Sequence, residues 1–110
     1  MRISDLAKDT RTISVVYKVG DIEFTVEVEY RTQAITIPVL KALREAVGYE
    51  HVLTQIVKLI ARWDLQDNND KEIPVTTEAI ESNEIPYYLL VTLLEEIKRD
   101  IRADDESKKK

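Results

Sequence analysis

Residues 12–31 alternate apolar and polar side chains on both sides of Gly20-Asp21, and this run constrains the fold more than any other part of the chain. Strict alternation has the period of a β-strand, and a glycine-aspartate pair at its centre is hairpin-turn chemistry. The turn predicts a register. Val19 faces Ile22, Tyr17 faces Phe24, Val15 faces Val26 and Ile13 faces Val28 on one side. Lys18 with Glu23, Val16 with Thr25, Ser14 with Glu27 and Thr12 with Glu29 make up the other. A one-residue slip would turn the apolar set of one strand to water, so the register is well specified; a three-residue loop with a bulge at Gly20 also fits. A lone hairpin is marginal and needs a second layer on its apolar face.

Helices must supply that layer. Thr36-Ile37-Pro38 introduces the first, with Pro38 suited to position N1, and Leu40, Leu43 and Val47 recur at helical spacing until Gly48 stops or kinks it. In a second helix Val52, Ile56, Leu59 and Trp63 step along one face, Leu53, Val57 and Ile60 widen the stripe, and His51, Gln55, Lys58 and Arg62 form the wet side. The periodicity ends in a polar connection, Trp63 to Pro74. Thr76 or Thr77 then caps a short helix carrying Ala79 and Ile80, closed by Ser82-Asn83. Pro86 starts the last helix, with the spine Leu90, Leu94, Ile97 and Ile101 and with Leu89 and Leu93 alongside. The expected class is α+β: an N-terminal antiparallel β-hairpin packed against a small bundle of three to four helices. Residues 1–103, beginning with a short amphipathic stretch carrying Ile3, Leu6 and Ala7, are expected to form a single domain, and residues 104–110 a charged disordered tail.

A chain of 110 residues can bury roughly two thirds of its unfolded surface, enough for one core without staples. Cysteine is absent, which removes disulfides and thiolate metal sites and permits a reducing compartment. A net charge of −5 with acids and bases interspersed argues against a phosphate-backbone binder, so no nucleic acid is expected. The start of the chain meets charged residues before any apolar run of signal-peptide length, and no apolar segment nears the roughly 20 residues that span a bilayer. Neither secretion by that route nor membrane insertion is expected.

Chemical sites are few. His51 is the only histidine and Gly20 and Gly48 the only glycines, so no zinc site, phosphate-cradling loop or Cys/His pair can be assembled, and no enzyme, cofactor or metal is expected. An EF-hand-like loop starting at Asp67 would need a ligand at Lys71 and a glycine at Glu72, and fails at both. Trp63 reads as a core plug more readily than a ligand platform. Asp64 beside it suits an Asx-type cap of the loop or an acceptor for the indole N–H. Tyr87-Tyr88 fits either rim packing or an exposed binding patch.

Trp63-Asp64-Leu65, then Asp67, Lys71, Pro74, a threonine-started helix with Ile80, Ile85-Pro86, and Leu89-Leu90 with Leu93-Leu94 together resemble the tail assembly chaperone family of long-tailed, siphovirus-type bacteriophages. The resemblance covers roughly residues 22–101 and is strongest from Leu59 onward. In that family the turn usually carries a glycine where this chain has Asp70. The resemblance implies a non-enzymatic late protein in the host cell cytoplasm. It would bind the long helical tape measure protein, keep it soluble, help recruit the tail tube protein, and leave the finished virion. Self-association stays open. The candidate partner-binding residues are Val52, Ile56, Leu59, Trp63, Tyr87, Leu90, Leu94 and Ile97, as core or as groove. In the family a longer product often arises by frameshifting; Lys108-Lys109-Lys110 suits a slippery run of adenines and equally a plain solvated tail. One alternative is a tail-completion or connector protein retained in the virion. Another is a stand-alone regulator, which would be expected to show a basic reading helix or a partner-binding arm.

Overall fold

The computed structural model describes residues 9–45 and 48–108, with side chains as far as Ala103. The two alternating segments form strands β1 (Thr10–Val19) and β2 (Ile22–Arg31), and every predicted pair is present, from Val19 opposite Ile22 to Thr12 opposite Glu29. The loop is the two-residue Gly20-Asp21. Within this loop the positive φ is at Gly20, +63°, the first central position of a two-residue hairpin turn, where glycine adopts it without steric conflict.

A third strand, β3 (Ile60–Trp63), pairs antiparallel with β2, giving the sheet order β1-β2-β3. This corrects the helical placement of Ile60, Arg62 and Trp63, because the second helix ends at Leu59. In the pairing Val28 is opposite Trp63, Glu29 opposite Arg62 and Tyr30 opposite Ile60, so Ala61 is the extra residue of a bulge. A bulge places two residues three apart on the same face, and both Ile60 and Trp63 are buried. Their spacing therefore imitates a helix. What ends the helix is not local: Arg31 reaches from β2 and its Nη1 donates to the carbonyls of Lys58 at 3.1 Å and Ile60 at 3.0 Å. Carbonyls at the end of the helix thus find a long-range partner.

Helix α1 (Ile37–Glu45) begins behind Thr36, whose carbonyl accepts from the Leu40 N–H and whose Oγ1 accepts from the Val39 N–H. Pro38 is consequently the second helical residue, one place beyond the N1 position expected of it. Val39 and Leu43 are buried and Leu40 is exposed; Val47 lies outside the described residues. Gly48, at φ +92°, leads into α2 (Tyr49–Leu59). Val52, Leu53, Ile56 and Leu59 are buried, and so is Gln55, which the helical stripe placed on the wet side. Thr76 rather than Thr77 caps α3 (Thr77–Ser82), accepting from the Ala79 N–H at 3.1 Å. The last helix, α4 (Tyr87–Lys108), buries Leu89, Leu90, Leu93, Leu94 and Ile97. Its backbone stays helical to Lys108, beyond the expected end of the domain; the side chains of the charged segment 104–110, like the amphipathic start, lie outside the described residues.

The fold is α+β, a three-stranded antiparallel sheet with four helices among the described residues. Val15, Val26, Val28 and Tyr30 on the inner sheet face join Ile56, Leu59, Ile60, Trp63, Ile80, Leu90, Leu93 and Ile97 in one core. Asp100 clamps the base of the hairpin to α4. Its Oδ2 accepts from the Tyr30 hydroxyl at 2.7 Å and lies 2.9 Å from Arg11 Nε.

Candidate partner-binding surface

The inner face of the hairpin outruns its cover. A ten-residue strand spans about 33 Å, but β3 pairs only with Val28 to Tyr30, and Asp64 extends the contact by one residue. Burial falls accordingly from base to tip. Tyr30, Val28, Val26 and Val15 are enclosed and Tyr17 is half-buried, while Phe24, Val19 and Ile22 are 49%, 52% and 60% exposed. An isolated exposed apolar residue is ordinary, but three neighbours on one sheet face form a patch.

Val19 and Phe24 of that patch lie on one wall of a cleft of about 410 Å³. Tyr17, Val19, Phe24 and Val26 line the sheet side, Asp64, Leu65 and Gln66 a second side, and Pro86 and Leu89 the start of α4. The second side is held from several directions. Asp64 donates its N–H to the Glu27 carbonyl and accepts the Glu27 N–H on Oδ1 at 2.9 Å. The indole N–H of Trp63 donates to the Ile73 carbonyl at 2.6 Å, so Asp64 is not its acceptor. Gln66 pairs with Glu72, and the Ile73 N–H donates to the Leu65 carbonyl. The polar connection is thus a small hairpin folded back on itself. Asp67 Oδ1 accepts the N–H groups of Asn69 and Lys71, an Asx-type closure, and Asp70 takes φ +61°. Its sequence signal was Asp67-Asn68-Asn69-Asp70, turn residues in a row.

Beside the start of α4 lies an aromatic row. The Tyr49 and Tyr87 ring centroids are 6.2 Å apart and those of Tyr87 and Tyr88 are 6.0 Å apart. Tyr88 is the most exposed aromatic, at 75%. Tyr49, held among these groups, has its phenol pKa raised, by desolvation first and then by the Glu81 carboxylate, which also hydrogen-bonds it. The Arg62 guanidinium is raised by its hydrogen bond and charge pairing with Glu72, 2.9 Å away. Neither shift brings a group into the range of acid–base chemistry near neutrality, and no cluster of three or more His, Asp or Glu suited to a metal occurs among the described residues.

Of the eight residues proposed for partner binding, Val52, Ile56, Leu59, Trp63, Leu90, Leu94 and Ile97 are buried in the core of the single chain, and Tyr87 is exposed. Val19, Ile22 and Phe24, which alternation places on the apolar side of the hairpin, are exposed instead. Alternation carries no signal for their exposure, because it assigns a face and not the length of what packs on it.

No family model, curated protein or solved structure matches this chain. No helix among the described residues is long and apolar enough to cross a membrane.

Proposed function

We propose that this protein is a bacteriophage tail assembly chaperone that binds the tape measure protein through the cleft at its hairpin tip. The observation that supports the reading best is the uncovered apolar face formed by Val19, Ile22 and Phe24, continued by Leu65, Pro86 and Leu89. A tape measure protein is a long helix whose apolar stripe aggregates when bare. A cleft with one apolar sheet wall and one helical wall can receive part of that stripe by helix-in-groove packing. The net charge of −5 keeps loaded copies apart. The motif that suggests the family has a definite structural use in this chain. Trp63, Asp64 and Leu65 lock the small hairpin against β2, and Asp70 occupies a left-handed conformation, where the family's glycine would sit without strain.

The test is co-expression with the tape measure protein encoded in the same genome. Co-purification together with a rise in soluble tape measure protein is expected, and Phe24→Asp should abolish both while the chain stays folded. A tape measure protein that stays insoluble and unbound overturns the reading. Recovery of this chain from purified mature particles would favour a tail-completion or connector protein.

A further inference from the structure

A second groove lies at the opposite end of the hairpin from the tip, between α1 and the last described turns of α4. It measures about 440 Å³ and is lined by Leu40, Leu43, Arg44, Lys98, Ile101 and Arg102. Its floor is apolar, with Leu43 buried, Ile101 half-buried and Leu40 39% exposed. Among the described lining residues every charged one is a cation, although acids outnumber bases in the chain by 21 to 16. Lys98 lies 3.2 Å from Glu95 on its own helix. Arg44 and Arg102 make no ion pair with any described residue. Helix-end electrostatics account for Arg44, in the last turn of α1. They do not account for Arg102, which lies inside a helix that continues to Lys108.

We propose that this groove docks an acidic amphipathic helix of a partner protein. The complementarity is specific in kind. Leu40, Leu43 and Ile101 offer an apolar seat for residues spaced i, i+3 or i+4 on an incoming helix. Lys98 and Arg102 are four residues apart, so they stand one turn, about 6 Å, apart along α4. Carboxylates one turn apart on the incoming helix would match that spacing, with Arg44 on the other bank. A groove-to-groove contact with a second copy of this chain is less well matched, since it would bring identical cationic rims together at a two-fold axis. The inference does not depend on the chaperone reading, which uses the far end of the sheet.

The experiment uses the full chain and two synthetic helical peptides of about 18 residues, long enough to form a helix on docking. Both have leucines at i, i+3, i+4 and i+7; one is flanked by glutamates and the other by lysines. Binding is followed by fluorescence anisotropy and mapped by backbone amide chemical shifts. The glutamate peptide should bind at least about tenfold more tightly than the lysine peptide and weaken as salt rises from about 50 to 500 mM. Its largest shifts should fall on 40–44 and 98–102. The double variant R44E/R102E should reverse the preference while its thermal unfolding matches the parent, and R44Q/R102Q, which keeps Lys98, should weaken the preference without reversing it. Equal affinity for the two peptides overturns the proposal, as do shifts confined to Val19–Phe24. Concentration-dependent shifts at the groove without peptide would also overturn it, in favour of a second copy.

Discussion

Asp100 ties together three parts of the molecule that lie far apart in sequence. Its carboxylate is the shared acceptor for Arg11 on β1 and the Tyr30 hydroxyl on β2. Because Tyr30 is almost wholly enclosed, Asp100→Ala removes an acceptor that water cannot readily replace. It should lower unfolding free energy by about 1–3 kcal/mol in urea titrations. Gln55 is the converse case. It is buried on α2, and its Oε1 has no hydrogen-bond partner among the described residues. Gln55→Met keeps the length and helix propensity of the side chain and removes the orphan acceptor, so stability should rise by about 1 kcal/mol by the same titration. Both effects rest on single polar atoms, and neither is visible in periodicity, which sorts residues by face and not by partner.

At the scale of elements, the hairpin is unevenly supported. Its base is flanked by β3 and the core, whereas its tip has the β1–β2 hydrogen bonds, an exposed Lys18–Glu23 ion pair and open solvent. Native-state amide exchange should report this directly. The amides of Val26 to Tyr30 that bond within the sheet should be protected about a hundredfold more than those between Lys18 and Glu23. Uniform protection along both strands would mean that something covers the tip. The hairpin register was legible because alternation and a turn glycine are local signals that agree with each other. The last two helices were legible for a similar reason, each starting at a cap or proline and running on an apolar spine. β3 was not. Its bulge gives Ile60 and Trp63 a helical spacing, no glycine or proline precedes it, and the residue that stops α2 is Arg31, about thirty positions upstream. The cleft was only half legible: its apolar residues were identified and its lack of cover was not, because cover is a property of lengths compared across elements.

For the whole molecule, the decisive question is whether the apolar residues that stabilise the chain are also those that bind. On the reading proposed above the two sets are separate: Leu94 is in the core at one side of α4, and Phe24 lines the open cleft at the hairpin tip. Leu94→Ala deletes buried methyl groups and leaves a cavity, which should reduce stability by about 2–5 kcal/mol. Any loss of binding by that variant should follow its unfolded fraction and be recovered on cooling or with a stabilising co-solute. Phe24→Asp acts in the other direction. It exchanges a half-exposed ring for a charge at a position where solvent already has access, so the melting temperature should move by only a few degrees, about 1 kcal/mol for a domain of this size. Capture of the tape measure protein should nevertheless be lost at every temperature. Binding assays and thermal melts on the two variants therefore form a crossed pair. If both properties fell together in each variant, one apolar surface would serve fold and partner alike, and the cleft would no longer be a separate site. If Phe24→Asp left capture intact, docking would have to use another surface, and the groove between α1 and α4 would be the next to test.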